Sequence, residues 1–408
     1  MSRKHSKQAG SGHIKARPAL LLSHELRKLL ASPLIWAIFL GMVLVNFGIV
    51  ALTTSDIRAP YNLASKAQQS AGHRASSELK RAVDAQPQSD QQERLSKALD
   101  EAQDPYSSFD SARLGRNAVR ALQGDRHENL GPIQRSMDSD MQAKYDRLGQ
   151  RAQHLSSTGA GMDIYAGTAT ADAQHELFGS QGQAVLWESI LLTLLIMVVL
   201  LGYERQQGVE PVIASTRTGR HLMRWKVLAG VGASLLACIL LNLVTTGIFA
   251  AFVDTRGVWG SSVSSGFNQL TTAFGTEPFV TWFDCTVGGY WLASMGLELL
   301  AVLGLGLLTA AIHTAVSSTM AAAGLSFLLV IAGYFIEFFA ASKGSWALFH
   351  AFSLTPGYLI LTQGSWFTGM GLQALFPWQE TISSLIALAI GTILLVLGLH
   401  YYQRKDLS

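Results

Sequence analysis

Residues 34–53 read LIWAIFLGMVLVNFGIVALT, twenty positions without a charged side chain. As a helix this run is about 30 Å long, the thickness of a bilayer's hydrocarbon core. Five further stretches pass the same test: about Ala184–Tyr203 with Glu188 near one end, uncharged Val227–Val253, Tyr290–His313 with Glu298 inside it, Met320–Phe339 with Glu337 near its end, and Ile382–Tyr402. The reading is an all-α polytopic membrane protein with six spans, at 33–53, 184–203, 227–253, 290–313, 320–339 and 382–402.

The composition agrees. The chain has 408 residues, 49% of them hydrophobic and 14% charged, where soluble domains carry about 25% charged residues. The first span is expected to stay as an anchor, because its apolar run and the basic stretch before it are too long for a cleaved signal. Two cysteines, Cys238 inside a span and Cys285 in a loop, make no disulfide framework. No CxxC or Cys/His cluster calls for a metal, and no cofactor is expected on this chain.

Lys and Arg near the span ends give an orientation. Seven lie before the first span, five between the second and third, and two after the sixth. The loops after the third and fifth spans hold one each, Arg256 and Lys343. Both termini are therefore expected in the cytoplasm, in a bacterial plasma membrane. The fifteen basic residues between spans one and two are balanced by seventeen Asp and Glu, and long translocated segments escape the charge rule.

Residues 1–17 read as a disordered basic tail that adds contact with anionic lipid. Residues 18–32 form an amphipathic interfacial helix: Leu22, Leu26, Leu29 and Leu30 share one face, with His24, Glu25, Arg27 and Lys28 opposite. Pro18 suits its first turn and Pro33 separates it from the span.

Residues 54–183 read as a helical extracytoplasmic domain. Helices are expected over 90–103, over 111–123 with Gly124 as a cap, and from Pro132 along the stripe Ile133, Met137, Met141, Tyr145, Leu148, Ala152 and Leu155. Narrow stripes point to a hairpin or small bundle. The outer loops 254–289 and 340–381 are rich in Gly and aromatics, as in an interfacial aromatic belt. Glu188 and Glu337 are expected to be solvated near the outer surface. Glu298 is expected to mark a substrate pathway, with Asn242 as partner, because a carboxylate inside a span costs about 2.5–3.5 kcal/mol.

Enzyme signatures are absent: there is no GxxxxGK[ST] loop, no HExxH and no triad spacing. No catalytic activity and no nucleic-acid partner are expected. The informative segment is cytoplasmic, ERQQGVEPVIASTRTGRHLMRWK at 204–226. An acidic residue closes span two, a glycine follows, and Arg and Lys precede span three. This segment resembles the one in permease subunits of the type-2 ABC exporter class, matching at Glu204, Gly208, Arg217, Arg220 and Lys226. It departs after Gly208, where Val209, Glu210 and Pro211 stand in place of a Thr and an apolar pair. The helix at 18–32 resembles that family's elbow helix.

The resemblance covers the membrane part, and not 54–183. It implies a coupling helix within 204–226 that docks on a separate cytoplasmic ABC ATPase, which uses the ATP, with Glu204 and Arg220 orienting the helix or pairing with the ATPase. It also implies a homodimer, or a heterodimer with a related permease. Two other classes fit the residues without it. One is a secondary transporter, which needs a coupling-ion site; the other is a membrane-anchored sensor or assembly factor with a helical ectodomain. Residues 403–408 form a short cytoplasmic tail.

Overall fold

A computed structural model describes residues 18–123, 132–215, 219–272, 274–355 and 357–404. The tail 1–17, Arg217 and most of 403–408 lie outside the described residues. Among those described, six helices are long and apolar enough to cross a membrane. We number them as spans one to six: Pro33–Thr53, Gln181–Gln206, Gly219–Phe252, Val287–Ala315, Thr319–Ser342 and Gln379–Arg404.

Spans two, three and four form the centre of the bundle, and span six lies along span four. That contact is close because its glycines face it. A Cβ on Gly391 would come within 3.0 Å of the Gly304 carbonyl oxygen, and one on Gly398 would collide with the Thr314 hydroxyl. Small residues at helix crossings let backbones approach where lipid offers no hydrophobic drive.

Pro18–Leu30 is a helix of its own. Ser32 takes the extended backbone that a following proline favours (φ −82°, ψ 110°). The Trp36 indole donates to the Leu30 carbonyl at 2.9 Å, satisfying one of the open groups at the helix end. The buried face is rotated from the expected one. Leu29 and Glu25 are buried, whereas Leu30 is exposed. The helix packs on spans two and three, where basic and acidic side chains give Glu25 a place.

Between spans one and two the chain forms helices Ser55–Ala71, Ser77–Asp84, Asp90–Asp100, Ser111–Gln123 and Pro132–Thr158. Ser76 and Ser89 cap the second and third by accepting from Leu79 N and Gln92 N. The expected stripe is buried at Met141, Tyr145, Leu148, Ala152 and Leu155, against Leu114, Ala118 and Leu122.

The two later loops do not form a belt. Val280 from one, and Met370 and Leu372 from the other, enter the same core. Trp366 and Phe279 are fully buried beside residues of spans two and four. The first loop carries an antiparallel hairpin, β1 Gln269–Thr272 and β2 Gly275–Pro278, with Leu270 opposite Glu277. Among the described residues the fold is thus mostly helical, with one small sheet that the all-α expectation lacked. The domain is built from three separate parts of the chain. A narrow helical stripe shows one face of a core, and it does not show which distant segment covers it.

Candidate functional site

The bundle holds two polar constellations, one at each end. The first lies where both ends of the described chain meet. Glu204 closes the last full turn of span two and is 7% exposed. Its Oε1 accepts from Lys28 Nζ at 2.8 Å, and its Oε2 pairs with Lys226. Lys28 also reaches both oxygens of Glu25, at 2.8 and 2.9 Å, and lies over the Tyr203 ring. Lys226 donates on to the Leu200 carbonyl at 3.0 Å. Two acids and two bases therefore join the N-terminal helix, span two and span three in a neutral cluster. Removing one member of such a buried set typically costs about 3–5 kcal/mol, because it strands a charge.

Gly208 then turns the chain with φ +69°. No atom lies within 4 Å of where a Cβ would stand, so the backbone conformation alone calls for glycine. The helix Glu210–Ala214 follows. Arg205 holds it by Glu210 Oε2 at 2.8 Å and anchors to the Val316 carbonyl at 2.8 Å, in the turn between spans four and five. Tyr402 near the end of span six donates to Glu210 Oε1 at 3.0 Å. These ties end on span two, on span six and on the turn between spans four and five. The helix shows Val212 outward, 68% exposed, with Val209 also exposed.

Several expectations change here. Glu204 is spent inside the chain on Lys28 and Lys226, so it is not a free contact for a partner. The helix of span three runs on from Gly219 among the described residues, so Lys226 lies two turns into it and is buried. Arg220 lies in this first turn, with its side chain outside the described residues, as is all of Arg217. The sequence by itself gives Lys28, Glu25, Arg205, Glu210 and Tyr402 no part in this cluster. The i,i+3 spacing of Glu25 and Lys28 was a signal for one pair; nothing local marks the others.

The second constellation lies toward the inter-span domain. Glu298 sits eleven residues into span four, about 16 Å along the helix, and is 2% exposed. Asn242 of span three donates to its Oε2 at 2.7 Å, as expected from the sequence. Gln363, from the segment before span six, donates to Oε1 at 3.3 Å. One turn along span three, Thr245 and Glu188 both accept from Asn46 of span one, at 2.9 and 2.7 Å. Glu176 accepts from Thr53 at 2.5 Å and from Gln181 at 3.1 Å. Glu337 accepts from Thr355 at 2.6 Å.

Glu188 and Glu337 are therefore buried, at 8% and 0% exposure, and not solvated. The later loops and the domain cover the end of the bundle that the hydropathy profile leaves open. Among the described residues, none of Glu176, Glu188, Glu298 and Glu337 has a cationic partner within ion-pair distance. Amides and hydroxyls alone hold them.

Two cavities adjoin this constellation. A small one, about 20 Å³, is lined by Gln181, Asn242, Thr245, Ser294, Glu298 and Gln363. A larger one, about 650 Å³, opens beyond it between the domain and the later loops, with Asp172, His175, Phe279, Trp346, Thr362 and Met370 in its wall. The described residues contain no group of three or more His, Cys, Asp or Glu able to hold a metal ion. Cys238 and Cys285 are free thiols.

No known protein family matches this sequence, and no curated protein matches it.

Proposed function

We propose that the chain is the membrane permease subunit of an ABC transporter, working as an exporter with a separate cytoplasmic ATPase. One observation carries this reading. The short helix Glu210–Ala214 presents Val212 to solvent while its base is wired by Arg205, Glu210 and Tyr402 to spans two, six and the turn between four and five. A push on that helix is delivered to several spans at once, which is what a coupling element requires. Glu204 contributes from behind, locking the N-terminal helix to spans two and three.

In this reading the end with Lys28 and Tyr402 faces the cytoplasm of a bacterial cell, as the Lys and Arg asymmetry favours. The domain at 54–183 and the larger cavity then face outward. A second permease, another copy of this chain or a related one, completes the assembly in this reading, and spans one and five are the two whose surfaces this chain covers least.

The test is co-expression with an ABC ATPase from the same cell and co-purification in detergent. The wild type should retain the ATPase. Val212→Glu should lose it while remaining folded, since Val212 touches solvent. Retention by Val212→Glu, or no ATPase held by the wild type, overturns the reading. A second reading, an ion-coupled transporter, draws on the buried carboxylates around Glu298; uptake or efflux in vesicles without ATP would select it.

A further inference from the structure

We propose that the pocket at Glu298 binds one compact monovalent cation of ammonium size, free or as the head of a primary amine.

The hydrogen bonds around the pocket run in one direction. Asn242 and Gln363 both turn their amide N–H groups to the Glu298 carboxylate. Gln181 turns its own to Glu176. The carbonyl oxygens of Gln181 and Gln363 are left buried without a donor. Both side chains are more than nine-tenths buried, and both line the cavity with Glu298. A buried acceptor without a donor costs about 1–3 kcal/mol, and a carboxylate here lacks a counter-charge. The pocket therefore asks for a group that brings both N–H donors and one positive charge.

Size and charge narrow the occupant further. A cavity of about 20 Å³ admits roughly one water-sized group, and ammonium is of that size. Divalent cations take six or more oxygen ligands, several of them often water, and a pocket of about 20 Å³ has no room for that shell; no group of three or more His, Cys, Asp or Glu exists among the described residues. Anions are repelled by Glu298. Tetraalkylammonium ions are too wide.

The packing also supplies a route. The segment Thr362–Ser365 walls both cavities, with Thr362 on the larger one and Gln363 on the smaller. The π-helical turn His175–Ser180 does the same, with His175 on the larger and Phe178 on the smaller. The two walls meet at glycines: a Cβ on Gly364 would lie 3.5 Å from Gly179 Cα, and one on Gly182 would press on the Gln363 amide at 2.7 Å. A seam of small residues is where two walls separate at least cost. No Lys or Arg lines the larger cavity among the described residues, and Asp172 does, so a cation meets no repulsion on the way.

The binding site is a property of this chain alone; its identity as the place of the transported substrate rests on the permease reading above. The experiment uses the purified full chain in detergent without any ATPase. Thermal unfolding is followed by tryptophan fluorescence against ammonium, ethylammonium and tetraethylammonium chloride at constant ionic strength. A ligand at many times its Kd should raise Tm by about 2–4 °C or more. Saturable shifts with ammonium or ethylammonium, absent with tetraethylammonium and lost in Glu298→Gln but kept in Glu188→Gln, support the site. Ammonium alone shows a free ion; a larger shift with ethylammonium shows an amine head. Should Glu298→Gln fail to fold, Gln181→Leu takes its place and should weaken the shift. No shift with any salt, an equal shift with tetraethylammonium, or a shift that survives Glu298→Gln overturns the proposal. A failed ATPase co-purification leaves this result untouched.

Discussion

Lys28 and Glu204 stand 176 positions apart in sequence and 2.8 Å apart in space. That contact places the N-terminal helix against the end of span two, and Lys226 of span three completes the tie from the other carboxylate oxygen. A charge in this position does more than set topology.

Glu204→Ala should therefore be among the costliest changes at this end of the bundle. It strands Lys226 and leaves Lys28 with Glu25 alone, and about 3–5 kcal/mol is expected. Lys28→Ala leaves Glu204 with Lys226 but strands the buried Glu25, and should cost a comparable amount. Thermal unfolding of both variants in detergent ranks them; near-neutral behaviour of both would show that these charges act on topology alone.

Gly257 offers a purely steric prediction. A Cβ there would stand 2.2 Å from the Ser65 carbonyl oxygen, backbone against backbone, whereas one on Gly260 meets nothing within 4 Å. Gly257→Ala should destabilise by roughly 2 kcal/mol or more, and Gly260→Ala should be close to neutral. Equal unfolding temperatures would mean that the later loop does not seat on the Ser55–Ala71 helix.

The domain contains a pH-dependent element outside the spans. Lys144 is fully buried and donates to the Gly371 and Ala374 carbonyls at 2.8 and 2.7 Å. Burial pushes its ammonium down to about 7, against the pull of Glu277. The unfolded chain holds this proton up to about 10.5, so between pH 7 and 10.5 the unfolded state binds more protons and stability rises with pH. The slope is at most about 1.4 kcal/mol per pH unit. Lys144→Met should remove that rise. Glu277 has the opposite sign, since burial lifts its carboxyl to about 7. Its native form keeps a proton that the unfolded chain sheds above about 4.5, and stability falls from there to about 7. Glu277→Gln should flatten that limb. Melting temperatures at constant ionic strength from pH 5 to 10 check both slopes.

Residues 54–183 should not fold when expressed alone. Val280, Met370 and Leu372 come from later loops and sit in the core with Tyr145 and Leu148, and Lys144 loses both acceptors without Gly371 and Ala374. The isolated piece should show helical circular dichroism, dye binding to exposed apolar surface and no sharp melting transition. A cooperative transition in the isolated piece would show that the domain is autonomous.

Sequence alone determined the six apolar helices, the separate helix before the first of them, and the stripe from Met137 to Leu155. Each follows from a local rule: run length against bilayer thickness, proline as a break, a repeat of three and four. It also named Asn242 as the partner of Glu298, because amides and carboxylates inside spans have few alternatives. The tertiary structure alone decided that Glu188 and Glu337 are buried, that the aromatic loops fill a core instead of lining an interface, and that Glu204 belongs to Lys28 and Lys226. Hydropathy weighs each stretch against lipid or water. Burial at the bundle's end depends on a third medium, protein from distant parts of the chain, whose placement no local period records.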